Sequence, residues 1–419
     1  MEKIKVTLTL RPSAIMASIA GRPSVVAGIL TSKLGVRMRS CRERAAAMVL
    51  AVSANNIGVT WVAIEATTVI TAFLVGHRRT RTALEATWKY VIICSVGIAI
   101  AFLGTILLYF AARHAGADSA HALDLDVLIT HAHRLDPGVT RLAGGLLLIG
   151  YGAKVGLVPF HTWLADAHSQ APAPVSALMS GVLLSVAFSV LLRIKPIIDT
   201  AIGTGFLRAG LLTVGLATIG VAAMLLTVST DLKRLLAYSS MENMGLVAIA
   251  AAAGTTLAIA ALLLHILAHG VGKTVLFLAG GQLQAAHQST AIADITSVLR
   301  RSRLIGVSFA IGLLVLLGLP PFAMFASELS IARAMTDARL AWSLGVALVL
   351  ILIAFAALVR NSGQVLLGTP APGSPAIQVP MSVAGALLIG VIASLVLGVA
   401  AGPVTALLHT AAEQLVVPR

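Results

Sequence analysis

From Ile57 onward the chain alternates long apolar runs with short polar punctuation. The runs cover 57–76, 87–112, 139–158, 173–194, 206–228, 232–253, 256–283, 303–338, 341–361 and 379–401. Each approaches or exceeds the roughly 20 residues a helix needs to cross a bilayer. Lipid cannot satisfy backbone N–H and C=O groups, so these runs predict α-helices that bond internally. The expected fold is an all-α polytopic membrane protein with about ten transmembrane helices.

Residues 1–44 do not share the pattern, because Lys3, Lys5, Arg11, Arg22, Lys33, Arg37, Arg39, Arg42 and Arg44 interrupt every apolar stretch before it reaches spanning length. They predict a basic, poorly structured leader. A transmembrane domain over 45–401 follows, and residues 402–419 read as a short tail.

Two runs are broken. The first stops at Pro159 and continues through His161, Asp166 and His168. The second, 303–338, is split at Gly318-Leu319-Pro320-Pro321. Paired discontinuous helices at corresponding places predict an inverted repeat around a site near the bilayer midplane. On this reading 45–200 is a first repeat, 201–365 a second, and 366–401 a terminal helix. Lys154 lies just before the first break, where a half-helix C-terminus favours a cation. Glu328 follows the second, in the early turns of a new half-helix, where a carboxylate is favoured.

Composition narrows the class. Of 419 residues 58% are hydrophobic and 11% charged, which marks a membrane protein. The net charge of +14 comes from short clusters between apolar runs, as expected where loops meet anionic lipid headgroups, so no nucleic-acid partner is expected. Arg78/Arg79/Arg81, Lys233/Arg234 and Arg300/Arg301/Arg303 fall on one side if every run crosses, and that side reads as cytoplasmic. The positives at Arg113, Arg134, Arg193, Lys195 and Arg208 fall on the other, which the C-terminus would share. Cys41 and Cys94 are isolated, with no disulfide framework, iron–sulfur spacing or haem motif. No cofactor or metal is expected on this chain, and any electron transfer belongs to another subunit.

The candidate chemistry is a set of titratable groups inside apolar runs. Lys154 at such depth costs about 3 kcal/mol and should face protein or water. His265, His269 and Lys273 follow at i, i+4 and i+8. They share one slowly drifting helix face over about 12 Å, the spacing of a proton wire; the alternative is hydrogen bonding across a helix interface. Glu65, in WVAIEATT, is either an ionised partner of Lys154 or a neutral carboxyl bonded to Thr67 or Thr68. Glu242, in LLAYSSMENMG, is a second acid of this type, at a gating position or at an interface. HGVGKT at 269–274 lacks the glycine a phosphate loop requires at Leu267. His121, Asp124, Asp126, His131 and His133 have no firm ligand spacing and read as solvated loop.

Five stretches in order, WVAIEATT, GAKVGLVPFHTWLADAHSQAPAPVSALMSG, TDLKRLLAYSSMENMGL, HILAHGVGKTVLFLAGG and GLPPFAMFASEL, closely resemble the proton-conducting antiporter-like subunits of respiratory NADH–quinone oxidoreductase, membrane-bound hydrogenases and multisubunit cation/proton antiporters. ENMG, the acid in GLPPFAMFASE and the non-lysine Ser185 are most similar to the hydrogenase-4 F-type branch. The resemblance implies that Glu65 and Lys154 form the glutamate–lysine pair that couples to a neighbouring subunit. It likewise implies that His265, His269 and Lys273 form the central axis, and that Glu328 marks the exit. It also implies membrane partner subunits, peripheral iron–sulfur and nickel–iron partners, and a place in the cell inner membrane. Two features depart from the family pattern. Ser185 stands where many members carry a lysine, which weakens the link between half-channels, and the basic leader replaces the first helices of a fourteen-helix fold, as expected either of a displaced start or of a shortened member with an incomplete first repeat. A cation/proton antiporter or bicarbonate-uptake subunit, and a non-conducting scaffold, are the alternative readings.

Overall fold

A computed structural model describes residues 43–369 and 375–416. Most of the expected leader therefore lies outside the described residues. Its end does not behave as a leader, because residues 43–53 form a helix, α1, that buries Met48 and Ala51 in the core.

Next come α2 (Ile57–Val75), α3 (Arg81–His114), the short α4 (Leu125–His131), α5 (Pro137–Val155) and α6 (Thr162–Gln170). Then follow α7 (Ala173–Ile202), α8 (Gly205–Val228), α9 (Leu232–Ala253) and α10 (Thr256–His287). The second half closes with α11 (Arg303–Leu316), α12 (Ala323–Asp337), α13 (Ala341–Leu367), α14 (Met381–Val399) and α15 (Gly402–Gln414). Among the described residues eight helices are long and apolar enough to cross a membrane. The two interrupted runs become the pairs α5–α6 and α11–α12.

Local sequence explains the starts. Asn56 accepts from Gly58 N and Val59 N at 2.9 and 3.2 Å, and Thr80 from Ala83 N at 3.1 Å. Asp136, followed by Pro137 in the first helical turn, accepts from Val139 N at 2.8 Å. Asp231 accepts from Arg234 N at 2.8 Å. Each side chain satisfies an N–H that the helix start leaves unpaired.

Two boundaries differ from expectation. The 173–194 run continues to Ile202, with a π-helical turn at Met179–Leu183 and Pro196 inside it. Lys195, just beyond the expected run, is thus helical as well. The expected tail forms α15, whose Ala412 is buried and which packs against α10; Thr405, Leu408 and His409 share a small cavity with it.

Helix α9 is the axis of the fold, buried along almost its whole length, whereas α14 lies at the edge. Close approach at the α3–α5 crossing depends on small residues: a Cβ on Gly150 would lie 2.6 Å from the Gly97 carbonyl oxygen, as in lipid-embedded packing generally.

The basic clusters collect at one end of the bundle, where Arg78 donates to Gln284 at 3.0 Å, Arg234 pairs with Asp166 at 2.6 Å and Arg301 contacts His287 at 2.6 Å. At the opposite end Asn56 donates to Asp124 at 2.7 Å and Asn55 to Asp126 at 2.9 Å, docking the loop before α4 onto the start of α2. His121 bonds Asp124 at 2.8 Å, and this contact raises the imidazole pKa above its ordinary value. The Asn56 amide, then His121, lowers that of Asp124; the Asn55 amide lowers that of Asp126.

Candidate functional site: a polar seam between two broken helices

The two breaks use the same backbone device at the same spacing. α5 ends at Val155 and Gly156 turns left-handed (φ 85°), three residues before the cis Val158–Pro159 bond. α11 ends at Leu316 and Gly318 turns left-handed (φ 61°), three residues before the second proline of the cis Pro320–Pro321 pair. Backbone groups freed at the first break find side-chain partners: Trp163 Nε1 donates to the Ala153 carbonyl at 2.9 Å, and Thr218 Oγ1 accepts from Val158 N at 3.0 Å.

Lys154 is fully buried at the end of α5. Its Nζ donates to Thr68 Oγ1 at 2.7 Å and Tyr90 OH at 2.8 Å. The expected direct partner, Glu65, is not bonded to it; Glu65 Oε1 instead accepts from Ser95 Oγ at 3.2 Å, while Oε2 is buried without a bonding partner. The alternative bond to Thr67 or Thr68 is not made either: both threonines donate to the Ile64 carbonyl, at 2.6 and 3.4 Å. The reason is geometric: Thr68 lies one turn from Glu65 on the same face of α2 and takes the lysine's bond. Glu65 and Lys154 are thus joined through α2 rather than by an ion pair. Tyr90 and Ser95 went unnoticed in the sequence, where a hydroxyl in an apolar run is unremarkable, and Thr68 was expected beside Glu65 rather than on Lys154.

Beyond the first break His161 precedes α6. Asp166 faces outward and bridges Lys89 and Arg234, so it is an ion-pair hub at the basic end. His168 is fully buried, stacked on Phe277 with centroids 5.2 Å apart, and neither ring nitrogen has a bonding partner among the described residues. Lys233, expected in a loop cluster, is also fully buried. Its Nζ donates to the Ser169 and Ala171 carbonyls at 2.8 and 2.6 Å, placing a cation where the carbonyls at the end of α6 need one.

On the central axis α10 faces α9. Lys273 Nζ donates to the Leu236 carbonyl at 2.7 Å and to Ser239 Oγ. Asn243 donates to the Ser239 carbonyl and to Glu242 Oε2, both at 2.7 Å. Its Oδ1 meets His265 Nε2 at 3.0 Å, and His265 Nδ1 meets Ser327 Oγ at 3.0 Å. Ser327 precedes Glu328, whose carboxyl packs against Gly318 in the second break, beside Pro320 and Pro321. Lys273, Glu242, His265 and the second break therefore share one bonded run. Asn243 is its hub, a residue missed because an amide carries no charge to mark it.

His269, between His265 and Lys273 on α10, is fully buried too, but neither of its ring nitrogens has a partner among the described residues. The run and the Lys154 group are not joined by a direct hydrogen bond among the described residues. Ser185 is buried with its hydroxyl unpartnered and lines an apolar groove.

A family model described as "NADH:quinone oxidoreductase/Mrp antiporter, TM" matches residues 54–355. Over 336 residues the chain is 39% identical to the hydrogenase-4 component F homolog of Methylacidiphilum infernorum, covering 79% of this chain and 69% of that protein. It is 30% identical to NADH-quinone oxidoreductase subunit N 1 of Sorangium cellulosum, over 78% of this chain and 66% of that protein. Among solved structures, a chain of respiratory complex I from Thermus thermophilus with bound Aureothin superimposes with a TM-score of 0.69 at 26% identity, covering 87% of this chain and 78% of that one. A chain of an archaeal membrane-bound sulfane sulfur reductase shares the fold, with a TM-score of 0.81 at 24% identity, over 88% and 74% of the two chains.

Proposed function

Because the chain belongs to the NADH:quinone oxidoreductase/Mrp antiporter membrane family, we propose that it translocates protons as one subunit of a hydrogenase-4-like or NADH dehydrogenase-like oxidoreductase complex. Its partners are other membrane subunits, with iron–sulfur and nickel–iron subunits at the periphery doing the redox chemistry. The basic end of the bundle faces the cytoplasm, across the inner membrane.

The observation that carries this reading is the bonded run from Lys273 through Ser239 and Asn243 to Glu242, His265 and Ser327. Ionisable groups in a membrane interior are costly and concentrate on ion pathways. Here hydroxyl and amide groups tie them together at fixed spacing, Lys273 and Asn243 meeting at the hydroxyl and the carbonyl of Ser239. Moving one charge against 100 mV costs about 2.3 kcal/mol. A change in the pairing of a buried cation is of comparable size, so repairing of Lys154 and Lys273 is an adequate coupling element. Lys273→Met in the assembled complex is expected to abolish redox-linked proton uptake into inverted membrane vesicles while reduction of a soluble dye continues. Undiminished uptake would sink the proposal.

A further inference from the structure

At the end of the bundle opposite the arginine clusters lies a cavity of about 350 Å³ between α7, α8 and the α9–α10 turn, lined by charged groups that the bonded run does not use. Lys195 and Asp199 form an ion pair one helical turn apart on α7, and both are more than nine-tenths buried. Asp199 Oδ1 is buried with no bonding partner. Arg208, from α8, reaches over the cavity and donates through Nε to the Ala252 carbonyl at 3.3 Å. The α9–α10 turn contributes Gly254 and Ile259, and the C-terminal segment covers the mouth with Leu415 and Val416. None of these four carries a titratable side chain, so Lys195, Asp199 and Arg208 are the charges the cavity presents.

Two further features mark this cavity as more than a packing flaw. Pro196 has no N–H, so the Leu192 carbonyl one turn earlier loses its helical donor, and both residues line the cavity. Lys195, Asp199, Thr204 and Arg208 give it a polar side beside the apolar Leu192, Ile259, Leu415 and Val416, and the volume holds on the order of ten waters at about 30 Å³ each. The ion pair and the guanidinium thus face one water-sized space, with Asp199 Oδ1 buried and unpartnered among the described residues.

We infer that the Lys195–Asp199 pair under Arg208 is a proton-release port to the face opposite the arginine clusters. A proton reaching the Asp199 carboxylate forms an O–H bond and frees Lys195 from its partner. Loss of that proton to cavity water breaks the bond again and restores the pair. The Leu415–Val416 cover narrows the mouth.

The inference rests on the proton-conducting reading, and the experiment separates the two. In inverted vesicles energised with the electron donor that supports dye reduction, Asp199→Asn is expected to lower proton uptake tenfold or more. Dye reduction and the amount of assembled complex should stay within twofold of wild type, and Asp199→Glu should recover most of the uptake. Uptake within twofold of wild type in Asp199→Asn, while Lys273→Met abolishes it, overturns the port and leaves the general reading standing. Undiminished uptake in Lys273→Met overturns both. If Asp199→Asn reduces assembly, Thr204→Cys on the exposed rim takes its place. A membrane-impermeant thiol reagent applied to intact cells is then expected to block uptake in vesicles prepared from them, and reagent-treated Thr204→Cys behaving as reagent-treated wild type overturns the port.

Discussion

Replacing Asn243 with leucine removes the hub of the bonded run without changing side-chain volume much. Three hydrogen bonds go: to the Ser239 carbonyl, to Glu242 Oε2 and to His265 Nε2. The first two lie within α9, and the third ties α9 to α10. A bond to a charged group is worth about 1.5–3 kcal/mol and a neutral one about 0.5–1.5 kcal/mol, while interhelical bonds in membranes average about 0.6 kcal/mol. The fold, anchored by an axial helix buried along its length, should therefore lose about 1–3 kcal/mol and still assemble. Transport should suffer more. Glu242 and His265 lose their only common partner, and raising the transfer barrier by about 1.5–3 kcal/mol slows it roughly 10- to 100-fold. Redox-driven dye quenching in inverted vesicles, normalised to assembled complex, measures this. A double-mutant cycle of Asn243→Ala with His265→Ala should be strongly non-additive in rate, since each removes the same link. Additive effects, or wild-type rates in Asn243→Leu, would refute the claim that the run conducts as a unit.

Lys233→Met strips the cation from the Ser169 and Ala171 carbonyls. It should cost about 1–3 kcal/mol and speed hydrogen exchange over 162–171, whereas Arg234→Gln, at a solvent-exposed ion pair, should stay within about 1 kcal/mol of wild type by thermal unfolding. Gly150→Ala forces a Cβ against the Gly97 carbonyl and Ala101 and should destabilise the α3–α5 pair by about 1–3 kcal/mol, visible as lowered detergent melting. The 118–126 loop should be pH-dependent in hydrogen exchange. With the His121 pKa raised by Asp124, its contribution is complete below the ordinary imidazole value and disappears as pH rises through the raised one. With the Asp124 pKa lowered chiefly by Asn56, its share is present above the ordinary carboxyl value and lost in acid as pH falls through the lowered one. Protection unchanged from pH 5 to 9 would contradict the His121 assignment.

The helices and both breaks were legible because hydropathy and proline act locally: an apolar run of spanning length has few alternatives in lipid, and Gly156 and Gly318 sit where left-handed turns are needed. Buried charges were legible by type but not by partner. Lys154 announced itself, yet its bonds go to Thr68 and Tyr90, residues on two other helices whose hydroxyls carry no periodic signal. Lys233 was misplaced because a charge beside Arg234 at a helix start looks like a loop cluster. Only the packing of α6 against α9 shows that one of the two neighbours points inward. Pro196 hid the last turns of α7, and with them the Lys195–Asp199 pair, because a proline in a helical pattern ordinarily marks an end.

The bonded run and the Lys154 group lie on opposite sides of α6, and two imidazoles stand between them. His168 and His269 are fully buried with four ring nitrogens and no bonding partner among the described residues. Buried polar groups in folded proteins are nearly always satisfied, so these nitrogens need water or a second subunit's side chain. Ser185 cannot carry the charge across, since a hydroxyl holds water but no net charge at neutral pH, and its own surroundings are an apolar groove. On the proton-conducting reading the two imidazoles are the groups left to link the halves, since each ring can accept a proton on one nitrogen and release it from the other, whereas Lys154 and Lys273 are held by hydroxyl and carbonyl partners.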